Sequence, residues 1–455
     1  MHVSAAAWAT ALGTGLDEVW EQLLAGRTGQ GEAPSAEPLR NHRVAALPPG
    51  TDGDEDPDAD TVARHLAVAT ATGARTLAGA GLGPEEAGDV LVVIGTSLGP
   101  HADRPGPSLY DWVAEAARRL GSRREPVALS TACSSGSDAI AVAADLLTAG
   151  VAERCLVGAV DLLTPNKRRG HSRLRTMSRG EPRSFDRDRD GMLLGEAGGF
   201  LLLETAASAD ARRAPCLGLL TGWGASNNAL GPTEPDASGT AAARAVRAAL
   251  DLAGRDPAEV AVISTHGTGT VLNDAAESAG LALLWPPAGA GAAPGPVAEA
   301  GPGAGGGAGT GSAAEAGSGP GAEAAPEPVA GAGPRSVAGD LPGSAHDAAS
   351  GRADGAGTGA GPVAFATKGA LGHSLGATGV VEAITVLLAL RDRRVPPVPH
   401  LERVMDGFPL RLPVGRALGI GGGCGLSQTL GFGGFNTCLL LEPAPAGRPG
   451  EGGGR

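Results

Sequence analysis

Residues 129–149 read LSTACSSGSDAIAVAADLLTA, and the predicted fold is built outward from this stretch. The apolar run Val127–Leu129 predicts the end of a strand, and the apolar residues of Ala139–Leu147 recur at a helical period until Gly150. Cys133 therefore lies at a corner near a helix N-terminus, where the helix dipole and free backbone N–H groups favour a thiolate. A small buried thiol packed under a helix fits the same pattern, since free cysteines are usually buried. The local pattern therefore allows two roles for Cys133, a nucleophile and a structural cysteine.

The composition of the 455-residue chain argues against several classes of function. A net charge of −13 opposes binding to nucleic acid or to an anionic membrane. The sequence has no signal-peptide pattern and no apolar run long enough to span a bilayer, so we expect a cytoplasmic protein. Five scattered cysteines without CxxC spacing fit reduced thiols and not a disulfide frame or a zinc site: Cys133, Cys155, Cys216, Cys424 and Cys438.

Two segments are predicted to lie outside the folded core. Residues 287–361 contain no aromatic residue, isoleucine, methionine or lysine and consist mostly of glycine, alanine and proline. Such a segment buries too little apolar surface to offset its chain entropy. We therefore predict a disordered, flexible insert at 287–361 and a flexible tail at 446–455.

Two acidic stretches imitate metal sites. Residues 52–60 read DGDEDPDAD, and a solvated loop is favoured over a metal site because Pro57 interrupts the acids. Residues 186–191 read DRDRDG, like the start of an EF-hand calcium loop, but Ala197 stands at the twelfth position, where a bidentate glutamate is needed. The arginines between the acids also oppose a cation. We predict no metal site.

An internal repeat decides the predicted architecture. Ala128–Leu147 and Phe365–Leu388 both read as a strand, a turn of small residues with a reactive side chain, and a buried apolar helix. Asp89–Ser97 and Val260–Thr268 both read as a strand that ends in a Gly/Thr/Ser loop. We predict an α/β protein of two similar αβ halves, whose short apolar strands suit a sheet covered on both faces. The predicted halves are residues 1–210, and residues 211–286 plus 362–445.

Three reactive side chains occupy matching corners of the two halves: Cys133 in the first, and His266 and His373 in the second. A lone histidine at a strand end is more often a hydrogen-bonded structural residue. Two of them at Gly/Thr corners, together with a cornered cysteine, favour a site. Hydrolysis by a cysteine and a histidine needs one base and an orienting partner, whereas two histidines suit a reaction in which an oxygen gains negative charge without attack by water.

Basic residues cluster in two places of this acidic chain. One run spans residues 167–179, and the other consists of Arg118, Arg119, Arg123 and Arg124. A run of charges is usually a solvated face. The alternative is a surface that docks an acidic partner.

Four motifs occur in the order seen in a known family. They are STACSSG around Cys133, HGTGT from His266, KGALGH ending at His373, and GFGGFN around Phe432. With residues 182–204, they resemble the β-ketoacyl synthases, which are condensing enzymes of the thiolase superfamily, over nearly the whole chain apart from 287–361. The resemblance implies a thiolase-like fold with a layered αβαβα core. Finer details, such as Phe435, resemble the type II polyketide ketosynthases more than the fatty-acid enzymes.

The resemblance also implies a reaction. Cys133 would accept an acyl group from an acyl carrier protein as a thioester, and His266 and His373 would hold a malonyl thioester while carbon dioxide leaves. The backbone N–H groups of Cys133 and Phe432 would form the oxyanion hole. The protein would thus be an acyltransferase, a β-ketoacyl-carrier-protein synthase of polyketide or fatty-acid biosynthesis.

Supporting roles follow from the same resemblance. Thr268 and Thr270 would contact the phosphopantetheine arm, Phe432 would gate the pocket, and Lys368 with Glu277 would support the site electrostatically. No bound cofactor is implied, because substrates arrive on the phosphopantetheine of an acyl carrier protein. The implied assembly is a homodimer, or a heterodimer with a related ketosynthase-like subunit.

Two other functions fit the same scaffold. One is a non-catalytic chain-length partner subunit, although relatives of that kind lack the nucleophile that Cys133 supplies here. The other is a decarboxylase or an acyltransferase without condensation. The chain departs from the family at Asn228–Thr233 and in the 167–179 run, which is basic where relatives carry a small apolar loop near the acyl pocket. The resemblance therefore leaves open which acyl group the protein uses, and whether the run lines the acyl pocket instead of docking a partner.

Overall fold

A computed structural model describes residues 1–33, 35, 38–51, 61–103, 108–287 and 361–445. The acidic loop predicted at 52–60, the tail predicted at 446–455 and all but the two end residues of the insert predicted at 287–361 lie outside the described residues. All described residues belong to one compact unit.

Strands and helices alternate along the described chain. The strands are β1 His2–Ala9, β2 Gly31–Glu32, β3 Arg43–Val44, β4 Leu91–Gly95, β5 Val127–Leu129, β6 Arg154–Asp161, β7 Ala197–Glu204, β8 Gly218–Asn227, β9 Val260–Ser264, β10 Val363–Phe365, β11 Arg394–Val395, β12 Leu418–Gly419, β13 Cys424–Leu430 and β14 Phe435–Pro443. The α-helices are α1 Leu16–Leu24, α2 Thr61–Gly79, α3 Pro84–Ala87, α4 Leu109–Arg119, α5 Ser135–Thr148, α6 Pro165–Arg173, α7 Ala206–Arg212, α8 Thr240–Ala253, α9 Val271–Ala282, α10 Lys368–Leu371 and α11 Thr378–Asp392.

One ten-stranded sheet contains the same arrangement twice. The first half has the order β1-β7-β6-β4-β5, and the second half has the order β8-β14-β13-β9-β10. When the five strands that each half contributes to this sheet are numbered in chain order, both halves have the order first, fifth, fourth, second, third. The parallel and antiparallel pairs are also the same. The halves join where His2 and Val3 of β1 pair with Leu219 and Gly218 of β8. The prediction of two similar αβ halves is therefore confirmed.

Helices cover both faces of each half. Helices α5 and α11 contact each other and strands of both halves, so they form a central layer. On the outside, α2 and α4 pack on the first half, and α8 and α9 on the second. Residues 378–390 of α11 are all buried, as expected of a helix that is apolar all round. The result is the predicted layered αβαβα core.

The sequence predicted the longer elements to within a few residues and missed the short ones, together with β13 and α6. The glycine-rich residues 421–425 lead into β13, whose Ser427, Gln428 and Thr429 are buried between β9 and β14. Polar residues in the middle of a buried strand remove the apolar pattern that would identify it. Helix α6 lies in the basic run, where no apolar period indicates a helix.

The cysteines and one acidic stretch have structural surroundings that bear on the sequence predictions. All five cysteines are buried and free. Asp186, the first acid of the DRDRDG stretch, accepts backbone N–H groups of Asp188, Glu402 and Arg403, each at 2.8 Å. Its carboxylate thus ties two loops together. Within the ranges that the structure describes, no helix is long and apolar enough to cross a membrane.

Candidate active site

Cys133 lies in a tight corner between β5 and α5. Ala132 has a left-handed backbone with φ of +53°, and Ala132–Ser134 form a 3-10 turn that leads into α5. Hydroxyl groups brace the corner, because Ser134 donates to Asp138 at 2.9 Å and Ser135 donates to the Ala132 carbonyl at 2.6 Å. A left-handed residue other than glycine costs on the order of 1 kcal/mol, and such strain concentrates at functional sites.

His373 reaches the same point from the second half. It precedes a matching corner, in which Leu375 has φ of +48° and Leu375–Ala377 form a 3-10 turn before α11. The Nε2 atom of His373 lies 3.2 Å from the Cys133 sulfur, and its Nδ1 atom lies 3.0 Å from the Thr378 hydroxyl. A thiol and an imidazole are therefore in hydrogen-bond contact across the two halves.

His266 follows β9 and lies beside His373. Its backbone N–H donates to one oxygen of Glu277 at 2.6 Å, and the N–H of Gly267 donates to the other at 2.8 Å. The two histidine rings meet edge to face with their centroids 5.2 Å apart. Within the described residues, the Nδ1 atom of His266 is buried and has no hydrogen-bond partner. A buried polar atom left in this way is suited to receive a ligand.

Lys368 forms an ion pair with a residue to which the sequence analysis gave no role. Its ammonium group is buried and donates to Glu382 of α11 at 2.5 Å, whereas Glu277 holds the backbone at His266 and Gly267. Sequence reasoning missed Glu382. The signal was present, because Glu382 is the one charged residue in the apolar stretch 379–390, and a charge in a buried helix needs a partner.

Burial controls the protonation of the reactive groups. Burial raises the pKa of the Cys133 thiol to about 11, although a hydrogen bond from the Phe432 backbone and the charge of Lys368 lower it. The expected thiolate is therefore wrong for this state, because the neutral thiol is the stable form near pH 7. Burial, helped by the charge of Lys368, also holds the pKa of His266 and of His373 well below the usual range, so both rings are neutral.

One cavity of about 310 Å³ brings most of the predicted residues together. Its lining contains the reactive residues and those predicted to contact substrate: Cys133, His266, His373, Thr268, Thr270 and Phe432. Lys368 and Glu277 are buried and are not part of the lining. Asn228 and Thr233, from the stretch that departs from the family, also line the cavity.

His171 of α6 and residues 174–176 just after it line one side of the cavity, so the 167–179 run is only partly a solvated face. Lys167 is only 6% exposed and its ammonium donates to Asp161 at 2.6 Å. His171 lines the cavity, and its ring stacks on Phe432 with the centroids 5.9 Å apart. Burial lowers the pKa of His171 to about 4, so this ring is neutral as well. Sequence reasoning counted His171 among the basic residues of the run and did not single it out as a site residue.

The other basic cluster is largely paired within the chain. Arg118 and Arg119 bond to Glu115, and Arg123 bonds to Asp89 at 3.1 Å. Three exposed arginines on and after α6 have no ion pair in the described part of the chain: Arg173, Arg175 and Arg179. Arg175 belongs to the cavity lining, so positive charge is available at that mouth.

The arrangement combines a nucleophile with groups that stabilise negative charge on oxygen. Cys133 supplies the sulfur, with a neutral imidazole in contact and a backbone N–H from Phe432 aimed at it. Two neutral imidazoles side by side donate hydrogen bonds without carrying a charge that must be desolvated. Acyl transfer to sulfur and stabilisation of an enolate or oxyanion are the reactions that such a site supports.

Comparisons with known proteins agree with this geometry. The family model of the β-ketoacyl synthase N-terminal domain matches residues 2–209, and that of the C-terminal domain matches residues 217–293 and 349–402. The 3-oxoacyl-[acyl-carrier-protein] synthase 2 of Mycobacterium leprae is 27% identical over 321 residues, which are 68% of this chain and 59% of the relative. A 3-oxoacyl-[acyl-carrier-protein] synthase homolog of Saccharomyces cerevisiae is 26% identical over 69% of this chain and 58% of its own. The chain thus spans about six tenths of the length of these curated relatives.

Solved structures show the same fold. The ishigamide ketosynthase/chain length factor superposes with a TM-score of 0.75 at 24% identity, over 98% of this chain and 99% of that one. A type II polyketide synthase acyl carrier protein in complex with its ketosynthase, bound to the hexaketide, gives a TM-score of 0.72 at 19% identity, over the same shares. The thiolase-like fold expected from the sequence is confirmed.

Proposed function

The chain belongs to the β-ketoacyl synthase family, and from this we propose that it is a β-ketoacyl-[acyl carrier protein] synthase. It extends a carrier-bound acyl chain by two carbons from a malonyl thioester. The observation that carries the proposal is the contact at 3.2 Å between Cys133 and His373 in a cavity that His266 also lines.

The first step is acyl transfer to Cys133. The thiol proton passes to Nε2 of His373 as the sulfur attacks the thioester carbonyl, and the C–S bond to the carrier breaks. His373 then returns the proton to the departing pantetheine thiol. The backbone N–H groups of Cys133 and Phe432 hold the oxyanion of the tetrahedral intermediate.

The second step is decarboxylative condensation. The bond between the malonyl methylene and its carboxylate breaks, and the electron pair forms an enolate whose oxygen accepts hydrogen bonds from His266 and His373. The enolate carbon attacks the acyl–Cys133 carbonyl, the C–S bond breaks, and the released sulfur takes a proton from solvent. Because the Thr378 hydroxyl both donates and accepts, it serves either tautomer of His373, as the two steps require.

The remaining site residues complete the proposal. Thr268 and Thr270, whose hydroxyl oxygens lie 2.9 Å apart, contact the phosphopantetheine arm, and Phe432 gates the pocket. Lys368 and Glu277 support the site electrostatically from behind it. No cofactor is bound, since the carrier brings the phosphopantetheine.

We further propose an acyl carrier protein as the partner, docked at the exposed Arg173, Arg175 and Arg179 beside the cavity. Charge complementarity at this mouth offsets the repulsion between two acidic proteins. The protein works in the cytoplasm as a homodimer, or as a heterodimer with a ketosynthase-like subunit, and its five unpaired thiols fit that compartment. We place the boundary between the halves at residue 210, between the end of β7 and the start of β8, so that the halves are 1–210 and 211–286 with 362–445.

Intact mass spectrometry of carrier-bound products tests the function. The protein is incubated with an acyl carrier protein in acyl and malonyl forms, and a two-carbon β-keto extension that disappears after iodoacetamide labelling of Cys133 is expected. Release of carbon dioxide without acyl-enzyme and without extension by the unlabelled protein would favour a decarboxylase. No acyl-enzyme and no extension would favour a chain-length partner subunit. Repeating the assay from about 0.05 to 0.5 M salt should raise the apparent KM for the carrier as screening increases.

A further inference from the structure

A buried ion pair lies next to the cavity and has no role in the steps above. Lys167, in the first turn of α6, donates to Asp161 at 2.6 Å and to the Leu162 carbonyl at 2.9 Å. The Lys167 side chain is 4% exposed and that of Asp161 is 1% exposed. An ammonium group buried to this degree is tolerated only with a carboxylate and hydrogen-bond acceptors around it.

The Asp161 carboxylate also accepts hydrogen bonds from the backbone near His373. One carboxylate oxygen accepts the N–H of Ser97 at 2.7 Å and the N–H of Gly376 at 2.8 Å. The other accepts the Ser97 hydroxyl at 3.0 Å, besides the ammonium group. Gly376 lies in the middle of the 3-10 turn between His373 and Thr378, the residue that holds the imidazole.

Asp161 and this turn are packed so closely that no further atom fits between them. A Cβ atom added to Gly376 would lie 2.5 Å from the Asp161 carboxylate and 2.5 Å from the backbone N of Ser97. Because packed interiors transmit displacements, a shift of the carboxylate moves the turn that orients His373. Lys167 also anchors α6, so the same pair links that turn to the wall on which His171 contacts Phe432.

We propose that the buried Lys167–Asp161 pair positions His373 for the reaction, with Asp161 holding the 375–377 turn and Lys167 holding Asp161. The kinetic part of this inference rests on the proposed function. The pair touches no substrate, so both residues are positioning residues. The opposing interpretation is that Lys167 only neutralises a carboxylate that the fold has buried.

Two charge-neutral double variants separate these interpretations. Lys167→Met with Asp161→Asn keeps a carbonyl oxygen to accept the Gly376 N–H, whereas Lys167→Met with Asp161→Ala removes it. Neither variant leaves an unpaired buried charge, so both are expected to fold. The single variant Lys167→Met is measured with them. Arg212→Met, which breaks the pair between the partly exposed Arg212 and the buried Glu204 outside the cavity lining, is the control for general loss of stability.

Three readouts are needed: thermal unfolding, hydrogen exchange of the 374–379 amides, and the ratio of malonyl decarboxylation to acylation of Cys133. We expect the alanine double variant to exchange the Gly376 amide faster and to lose about 10-fold to 10²-fold in decarboxylation, with a smaller loss in acylation. The asparagine double variant should stay within about threefold of wild type in that ratio. Arg212→Met should lower the unfolding temperature and leave the ratio and the exchange unchanged.

Equal ratios and equal exchange in the two double variants would overturn the positioning role. So would a Lys167→Met variant that folds and leaves both the exchange of the turn and the ratio as in wild type. If wild type itself neither acylates Cys133 nor decarboxylates malonyl carrier, the proposed function fails. In that case hydrogen exchange still decides whether the pair holds the turn.

Discussion

The corners at Cys133 and Gly376 are the same piece of backbone used twice in one chain. In each, a residue in the left-handed region, Ala132 or Leu375, is the first residue of a 3-10 turn that leads into a long central helix. Cys133 and Gly376 both stand second in their turns. The first half of the sheet leads into one corner and the second half into the other.

The two corners differ in what the middle of the turn faces. In the first half, the Cys133 side chain faces an open cavity and a histidine from the other half. In the second half, Gly376 faces the Asp161 carboxylate so closely that a Cβ atom does not fit. The repeat thus supplies the same backbone turn twice. The second residue of the turn is the reactive Cys133 in the first half and Gly376, packed on Asp161, in the second half.

Removing the sulfur should produce the largest effect. Cys133→Ala is expected to abolish acyl transfer and condensation, because the other four cysteines lie outside the cavity lining. Acyl-enzyme is measured by intact mass after incubation with acyl carrier. Normal accumulation of acyl-enzyme in this variant would contradict the assignment of the nucleophile.

Removing the imidazole should separate the two steps. His373→Ala is expected to slow condensation by about 10²–10³-fold, as for the loss of one oxyanion donor, and to slow acylation of Cys133 by a smaller factor, because that step loses its proton acceptor but keeps its backbone oxyanion hole. Single-turnover acylation and decarboxylation are measured side by side. Condensation within about threefold of wild type would exclude His373 from the second step.

Adding a methyl group at Gly376, in the second corner, should destabilise the protein. Gly376→Ala forces a Cβ atom against Asp161, and we expect a loss of about 1–3 kcal/mol in the free energy of unfolding. Gly421→Ala is the matched control, because a Cβ atom there meets nothing within 4 Å. Denaturant unfolding compares the two. Equal stability would show that the turn at 375–377 yields easily, against the close packing described above.

The protonation of the first corner gives a pH-dependent prediction. Burial raises the pKa of Cys133 to about 11, so the thiolate fraction, and with it the rate of alkylation by iodoacetamide, should rise about tenfold per unit between pH 7 and about 10. The rate is followed by mass spectrometry, with Cys133→Ala as the blank. A plateau near pH 7 would reveal a thiolate–imidazolium pair instead of two neutral groups.

The segment between α9 and β10 should matter least. In the first half, the equivalent link between α4 and β5 is only residues 120–126, and in the second half the described ends meet, since a Cβ atom on Gly361 would lie 3.6 Å from Trp285. Replacing residues 287–361 by a short Gly/Ser loop should change the free energy of unfolding by only about 1 kcal/mol. Thermal unfolding and acylation are measured. Insoluble protein, or lost acylation with a normal unfolding transition, would show a further role for the segment.

The local sequence pattern predicted the structure correctly where it depends on one face of a helix or on one turn. The apolar period after Cys133 and its echo after Phe365 identified both central helices and the twofold repeat. The same reasoning failed for Lys167, since a lysine in a basic run is normally solvated. Its burial depends on Asp161, which lies on β6, and on Gly376, which lies more than two hundred residues further along the chain.

The sequence by itself determined the α/β alternation, the repeat and the small set of reactive residues, because these follow from periodicity and from residue types at corners. Only the tertiary structure decided which groups share a proton, which carboxylate holds which backbone, and whether the thiol is ionised. The hydrogen bond at 3.2 Å between Cys133 and His373 joins segments 240 residues apart in the chain. Burial raises the pKa of Cys133, although the adjacent helix N-terminus favours a lower value. Desolvation belongs to the packed whole and leaves no trace in a local pattern.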